Sequence, residues 1–156
     1  MNLNLEKKVA IITGGSKGIG KGIALSLADE GCNLVLCARG EEILEKTAEE
    51  IRRKNVTVLP IVVDITSAGS EEKILNTALN KFNNIDILIN NAGGNRRNSF
   101  VETTDDDWKE ILELNLMSHM RISRTIAKQM QKQGNGSIIF ISFTYFPSMK
   151  TEPFSI

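Results

Sequence analysis

Five short apolar runs, each joined to the next through a stretch of helical periodicity, constrain this chain most. The runs are Lys8 to Thr13 (KVAIIT), Asn33 to Ala38 (NLVLCA), Val56 to Val63 (VTVLPIVV), Ile85 to Ile89 (IDILI) and Ser137 to Ser142 (SIIFIS). Continuous apolar runs of this length suit strands buried on both faces, as in a parallel sheet. The first connecting segment, about Gly18 to Glu30, repeats Ile19, Ile23 and Leu27 at intervals of four, one face of a helix. Gly31 follows it as a C-terminal glycine cap. Glu41 to Lys54 is a charged amphipathic helix with Ile43, Leu44, Thr47, Ala48 and Ile51 on one side. Ser67 is placed to cap a third helix reaching Phe82, with Glu71 and Glu72 favourable near its start. Thr104 precedes a long helix, roughly Asp105 to Gln133, closed by Gly134 and Gly136. Strands joined through helices imply parallel pairing and right-handed crossovers. The expected architecture is α/β, a doubly wound parallel sheet of five strands in the order 3-2-1-4-5. Pro60 lacks an N–H donor, so its strand belongs on an edge or carries a bulge. The ligand crevice should lie where the first and fourth strands diverge, at their carboxyl ends.

Composition narrows the function classes. The chain has 156 residues, close to one domain of ordinary size, and 1–156 is read as a single domain. Nineteen basic and nineteen acidic side chains balance to zero. That argues against a nucleic-acid partner, which needs a basic excess. No apolar run approaches the ~18 residues of a membrane span. The first residues carry acid and base before a short apolar run, without a secretory layout. Cys32 and Cys37 flank one predicted strand, so a disulfide framework is not expected and a reducing, cytoplasmic setting fits. No Cys/His cluster has metal-ligand spacing, so no metal is expected.

The turn after the first strand reads Thr13-Gly14-Gly15-Ser16-Lys17-Gly18-Ile19-Gly20. Gly14 permits a tight turn, Gly18 a close backbone approach and Gly20 close helix packing. The helix that follows offers free N–H groups and a partial positive charge to a pyrophosphate. No Gly-Lys-Ser/Thr triplet ends the turn, so it is not a Walker loop. A glycine-rich connector without a ligand is the competing reading. The position of the turn at the start of a β-α-β unit favours cofactor binding.

This turn, together with Asn90-Asn91-Ala92-Gly93 after the fourth strand, resembles the short-chain dehydrogenase/reductase family from about Lys7 to Ser142. The resemblance implies a Rossmann-type fold, a nicotinamide dinucleotide and hydride transfer between it and a small alcohol or ketone. It implies cofactor contacts from Gly14, Ser16, Lys17, Gly18, Ile19, Gly20, Asp64, Ile65, Asn91, Ala92 and Gly93. Asp64 matches the acid that contacts adenine, against the alternative of a strand-end helix cap. Asn91, Ala92 and Gly93 match the nicotinamide side, against an ordinary polar turn. An NAD site places a carboxylate at the end of the second strand, about 20 residues past the glycine turn. Here Arg39 lies 19 residues after Gly20. A guanidinium suits a 2′-phosphate, and Lys17 adds a second positive charge. NADP(H) is therefore expected over NAD(H), with a solvated strand-end charge as the alternative for Arg39.

For catalysis the resemblance implies a tyrosine acid/base with a lysine four residues on, a serine after the fifth strand, and a helix asparagine holding a relay water. Asn115 matches the asparagine, and Ser142 stands at the serine, although Phe143 occupies the second position where relatives often carry the catalytic one. Tyr145 comes three residues after Ser142, with Met149 at its i+4 place and Pro147 between. It reads as a loop or packing aromatic. The expected tyrosine position falls near Phe154. The expectation is of an amino-terminal part of a longer enzyme, incomplete at the carboxyl end, leaving the fifth strand an open apolar edge. The alternative function is a dinucleotide-binding module without turnover. His119 reads as a packed or surface residue, and Met117, Met120 and Met130 as core or subunit contacts. In the family the long helix near 105–133 packs on a second subunit, so a homo-oligomer through it is a further expectation.

Overall fold

The computed structural model describes residues 3–94 and 100–142. Phe143, Tyr145, Pro147, Met149 and Phe154 therefore lie outside the described residues.

The chain forms β1 (Val9–Thr13), α1 (Gly18–Asp29), β2 (Asn33–Ala38), α2 (Glu41–Arg52), β3 (Val58–Val62), α3 (Ser70–Phe82) and β4 (Ile87–Asn90). A 3-10 turn (Phe100–Glu102) then leads into α4 (Asp105–Leu112), a π turn (Glu113–Met117), α5 (Ser118–Gln133) and β5 (Ser137–Phe140). The sheet runs β3-β2-β1-β4-β5, with every adjacent pair parallel. Five-stranded order and doubly wound layering agree with the sequence expectation. All five residues of β1 are buried, as a central strand covered on both faces must be. On one face Ile11, Val35 and Leu88 pack with Ile74 and Ala78 of α3 and Ile122 and Ile126 of α5. On the other, Ile12, Leu34 and Leu36 pack with Ala24 of α1 and Leu44, Ala48 and Ile51 of α2.

Pro60 sits in β3 at the sheet edge, where its missing N–H is harmless. Glu30 and Gly31 close α1 as expected. Gly31 adopts φ +80, and the N–H groups of Gly31 and Cys32 reach back to the carbonyls of Ala28 and Leu27, the paired bonds of a Schellman cap.

Two expectations are corrected. Ser67 does not cap α3, which starts three residues later with Gly69 in left-handed backbone and no side-chain cap. The carboxylate of Asp64 accepts from the Thr66 amide and hydroxyl, and the Ser67 amide closes onto the Asp64 carbonyl. That local turn uses Ser67 before the helix begins. The single helix expected over Asp105 to Gln133 is instead α4 and α5 joined by the π turn. Asn115 and Ser118 donate back to the carbonyls of Ile111 and Leu114, both at 2.8 Å. Side-chain bonds of this i−4 kind compete with the helical ladder and loosen it.

Candidate functional site

The carboxyl ends of β1 and β4 diverge and open a cavity of about 420 Å³. Ten of the residues singled out in the sequence line it: Gly14, Ser16, Lys17, Ile19, Arg39, Asp64, Ile65, Asn91, Ala92 and Gly93. Gly18 and Gly20 stand in the first turn of α1 beside it without lining it.

The glycine turn is hung on β2, because the amides of Gly14 and Gly15 both donate to the Cys37 carbonyl, at 2.8 and 3.2 Å. Gly14 adopts φ +67, which L side chains disfavour. Gly20 has a different reason. A Cβ there would lie 2.3 Å from the Gly14 carbonyl oxygen and 2.5 Å from Asn91 Nδ2, so α1 meets the turn closely only with hydrogen at that position. A Cβ on Gly18 would meet no atom within 4 Å, which leaves space over the helix start. α1 has no side-chain cap and no acid in its first turn. Its first amides lack intrahelical acceptors, and they present uncompensated positive potential.

Thr13 and Asn91 lock the two sides of the cleft together. Thr13 Oγ1 accepts from the amides of Asn91 (2.9 Å) and Ala92 (3.0 Å). Asn91 Nδ2 donates to the carbonyls of Thr13 and Gly14, at 3.0 and 3.2 Å. Farther along, Asn115 pairs with both backbone groups of Gly94. Its Oδ1 accepts from the Gly94 amide at 3.0 Å and its Nδ2 donates to the Gly94 carbonyl at 2.8 Å. The Asn115 amide is therefore engaged on the chain that leaves the cleft and does not line the cavity. Ser142 is exposed just beyond β5 and is likewise outside the lining, where its neighbour Ile141 stands instead.

Charge divides the cavity. Lys17 and Arg39 are both exposed, at the turn and at the end of β2. Asp64 holds its carboxyl below the usual range, chiefly through the hydrogen bonds from Thr66, with the Arg39 guanidinium adding to them. Burial pushes the Cys37 thiol up to about 12, so it contributes only an apolar wall.

Sequence reasoning missed two classes of residue. Leu114, Ile43 and Ile141 line the cavity but carry no motif, since an apolar wall looks like any core position. Thr47, placed by periodicity on the apolar side of α2, is 3% exposed and donates its hydroxyl to the Ser16 carbonyl at 2.8 Å. A polar residue on that stripe was the available signal. Among the described residues no cluster of His, Cys, Asp or Glu has the grouping of a metal site. No helix there is long and apolar enough to cross a membrane.

A family model described as short chain dehydrogenase matches residues 8–146. The chain belongs to the short-chain dehydrogenase/reductase family. It is 36% identical over 138 residues to a 2-dehydro-3-deoxy-D-gluconate 5-dehydrogenase of Dickeya dadantii, covering 87% of this chain and 53% of that protein. It resembles a solved 7 alpha-hydroxysteroid dehydrogenase complexed with NADH and 7-oxo glycochenodeoxycholic acid, with TM-score 0.85, 34% identity, and coverage of 90% of this chain and 55% of that one. It resembles equally the L-sorbose reductase of Gluconobacter frateurii complexed with NADPH and L-sorbose, with TM-score 0.85, 35% identity, and coverage of 90% and 54%. The chain thus spans about half the length of the relatives it matches. The family binds NAD or NADP, and both coenzymes occur among these neighbours.

Proposed function

We propose that this short-chain dehydrogenase binds NADP(H) in preference to NAD(H), in service of hydride transfer to or from a small alcohol or ketone. The observation that carries the reading is charge at the end of β2. Arg39 and Lys17 both line the cleft, and the position where an NAD site keeps a carboxylate is the guanidinium. A 2′-phosphate gains charge-assisted hydrogen bonds there, whereas a carboxylate would repel it.

The chain's own groups fit a dinucleotide. The uncapped start of α1 suits the diphosphate. Asp64 and Ile65 suit the adenine end, and Asn91, Ala92 and Gly93 the nicotinamide end. The bound coenzyme would supply hydride chemistry, and these residues would hold and orient it. Asn115 acts on the Gly94 backbone, and Ser142 is the residue of this segment offered to a substrate oxygen. Buried, unpaired Cys32 and Cys37 fit a reducing cytoplasm. Leu112, Leu116 and Met120 form an exposed apolar row on α4, the π turn and α5, which suits contact with a second copy of the chain.

The test is titration of NADPH and NADH, followed by dihydronicotinamide fluorescence, into wild type and Arg39→Ala. Wild type should favour NADPH by about tenfold or more, equivalent to ~1.4 kcal/mol, and the substitution should bring the ratio close to one. A preference that survives Arg39→Ala unchanged overturns the reading.

A second reading, coenzyme binding without turnover, rests on the sequence after β5. Tyr145 has Met149 in place of a lysine at i+4, and Phe143 and Phe154 stand where the family's serine and tyrosine are expected. Saturable NADPH binding with no reduction across a ketone panel supports it, and robust turnover removes it.

A further inference from the structure

Thr47 carries a hydroxyl on the buried face of α2, with Leu44, Ala48 and Ile51. A threonine within a helix commonly turns its hydroxyl onto the carbonyl four residues before it. Thr47 instead donates to the Ser16 carbonyl, 31 residues back in the chain, at 2.8 Å. A hydroxyl has one proton to give, so that proton is committed to the glycine turn. Thr47 does not line the cleft, whereas Ser16 and Lys17 do. The threonine acts from behind them.

Peptide geometry carries this contact into the cleft. The peptide between Ser16 and Lys17 is trans, so its C=O and N–H point in opposite directions. Thr47 draws the Ser16 carbonyl toward α2, and the Lys17 amide therefore faces away from α2. Neighbouring carbonyls are occupied as well. That of Gly14 accepts from Asn91 Nδ2, and that of Lys17 accepts from the Lys21 amide. An anion over this turn meets donors, whereas a Ser16 carbonyl freed to turn toward it would repel it.

The same helix is rooted beside the second cation of the cleft. α2 begins at Glu41, directly after Arg39 and Gly40, and the Gly40 carbonyl accepts from the Leu44 amide. Thr47 lies about two turns along that helix. Its hydrogen bond thus ties the element that starts at Arg39 to the turn that bears Lys17. Core contacts of Leu44, Ala48 and Ile51 hold α2 to the sheet independently of it. We propose that Thr47 is a positioning residue for coenzyme choice, setting the Ser16–Lys17 peptide relative to Arg39 so that both meet the 2′-phosphate. This inference rests on the NADP(H) reading above.

The dipeptide Ser-Lys occurs once in the sequence, so 13C-carbonyl serine with 15N-lysine labels that single peptide for NMR. Its correlation should move further on saturation with NADPH than with NADH. Equal movement overturns the proposal without any variant having to fold. Thr47→Val keeps the shape and removes the proton, and Thr47→Ser keeps the proton. NADPH affinity should fall by about fivefold in Thr47→Val, the scale of one lost buried hydrogen bond, with NADH affinity changing by less than about twofold. Thr47→Ser should restore the wild-type ratio. A purely structural threonine would lower the unfolding midpoint of Thr47→Val and leave the NADPH-to-NADH ratio alone, and that result overturns the role. Equal loss of both coenzymes, or no rescue by serine, does so too. If wild type binds neither coenzyme, or keeps its preference in Arg39→Ala, the NADP(H) reading fails and takes this role with it. A preference that Arg39→Ala abolishes and Thr47→Val leaves intact sinks the role of Thr47 alone.

Discussion

Within one helix, two glycines separate steric need from conformational tolerance. A Cβ at Gly20 would press on the Gly14 carbonyl and Asn91 Nδ2, whereas a Cβ at Gly22 would meet nothing within 4 Å. Gly20→Ala should therefore destabilise the chain by about 1–3 kcal/mol, the usual cost of overpacking, and weaken coenzyme binding, because the carbonyl it displaces belongs to the turn. Gly22→Ala, in the interior of α1, should stabilise by about 0.5–1 kcal/mol. Urea unfolding of the two variants checks both signs, and a Gly20→Ala protein as stable as wild type would contradict the packing account. The role of Gly20 was legible in the sequence, because the spacing of a glycine turn implies where a helix must approach a strand. The role of Thr47 was not. Its hydroxyl acts on the Ser16 carbonyl far away in the chain, and hydrophobic periodicity says only that such a position faces inward.

Elements were legible wherever burial alone decides them. β2 falls on Asn33–Ala38 as expected, because it lies between β1 and β3 and an apolar run there can be nothing else. Ends governed by local polar chemistry were less so. At α3 an Asx-type turn at Asp64 displaced the cap from Ser67, and in the long helix the backbonding of Asn115 and Ser118 opened a π turn that periodicity does not register. Thr104 is the contrasting case. It precedes the helix as expected and forms a capping box, its hydroxyl accepting from the Asp107 amide while the Asp107 carboxylate accepts from the Thr104 amide. Thr104→Ala should lower stability by about 1 kcal/mol. Its effect on coenzyme affinity should be small, since α4 contributes no cleft residue. Thermal unfolding alongside NADPH titration would show a loss in the first with little change in the second. A large affinity loss would mean that α4 is coupled to the cleft.

At the scale of the molecule, the sheet order and the cleft followed from chain connectivity, since right-handed crossovers leave few ways to wind five parallel strands. The surface carries a second message. Trp108, Leu112, Leu116 and Met120 recur at intervals of four and are each 41–50% exposed. Met130, nearer the end of α5, is buried at 6%. Met120 therefore belongs to the row that suits a subunit contact, while Met130 is core. An apolar row of this length is costly to leave in water, and a two-fold axis would set it against its own copy. Leu112→Glu would then bury a carboxylate at the contact. Wild type should sediment at twice the chain mass at micromolar concentration, and Leu112→Glu should sediment as a monomer with its unfolding midpoint at low concentration unchanged. Trp108, the single tryptophan, gives a second readout, since its emission should shift on dilution of wild type and not of the variant. Ile139 and Phe140 of β5 are 45% and 47% exposed and make the competing surface. If Leu112→Glu remains a dimer and Ile139→Glu does not, association runs through the sheet edge and the helical row is not the contact.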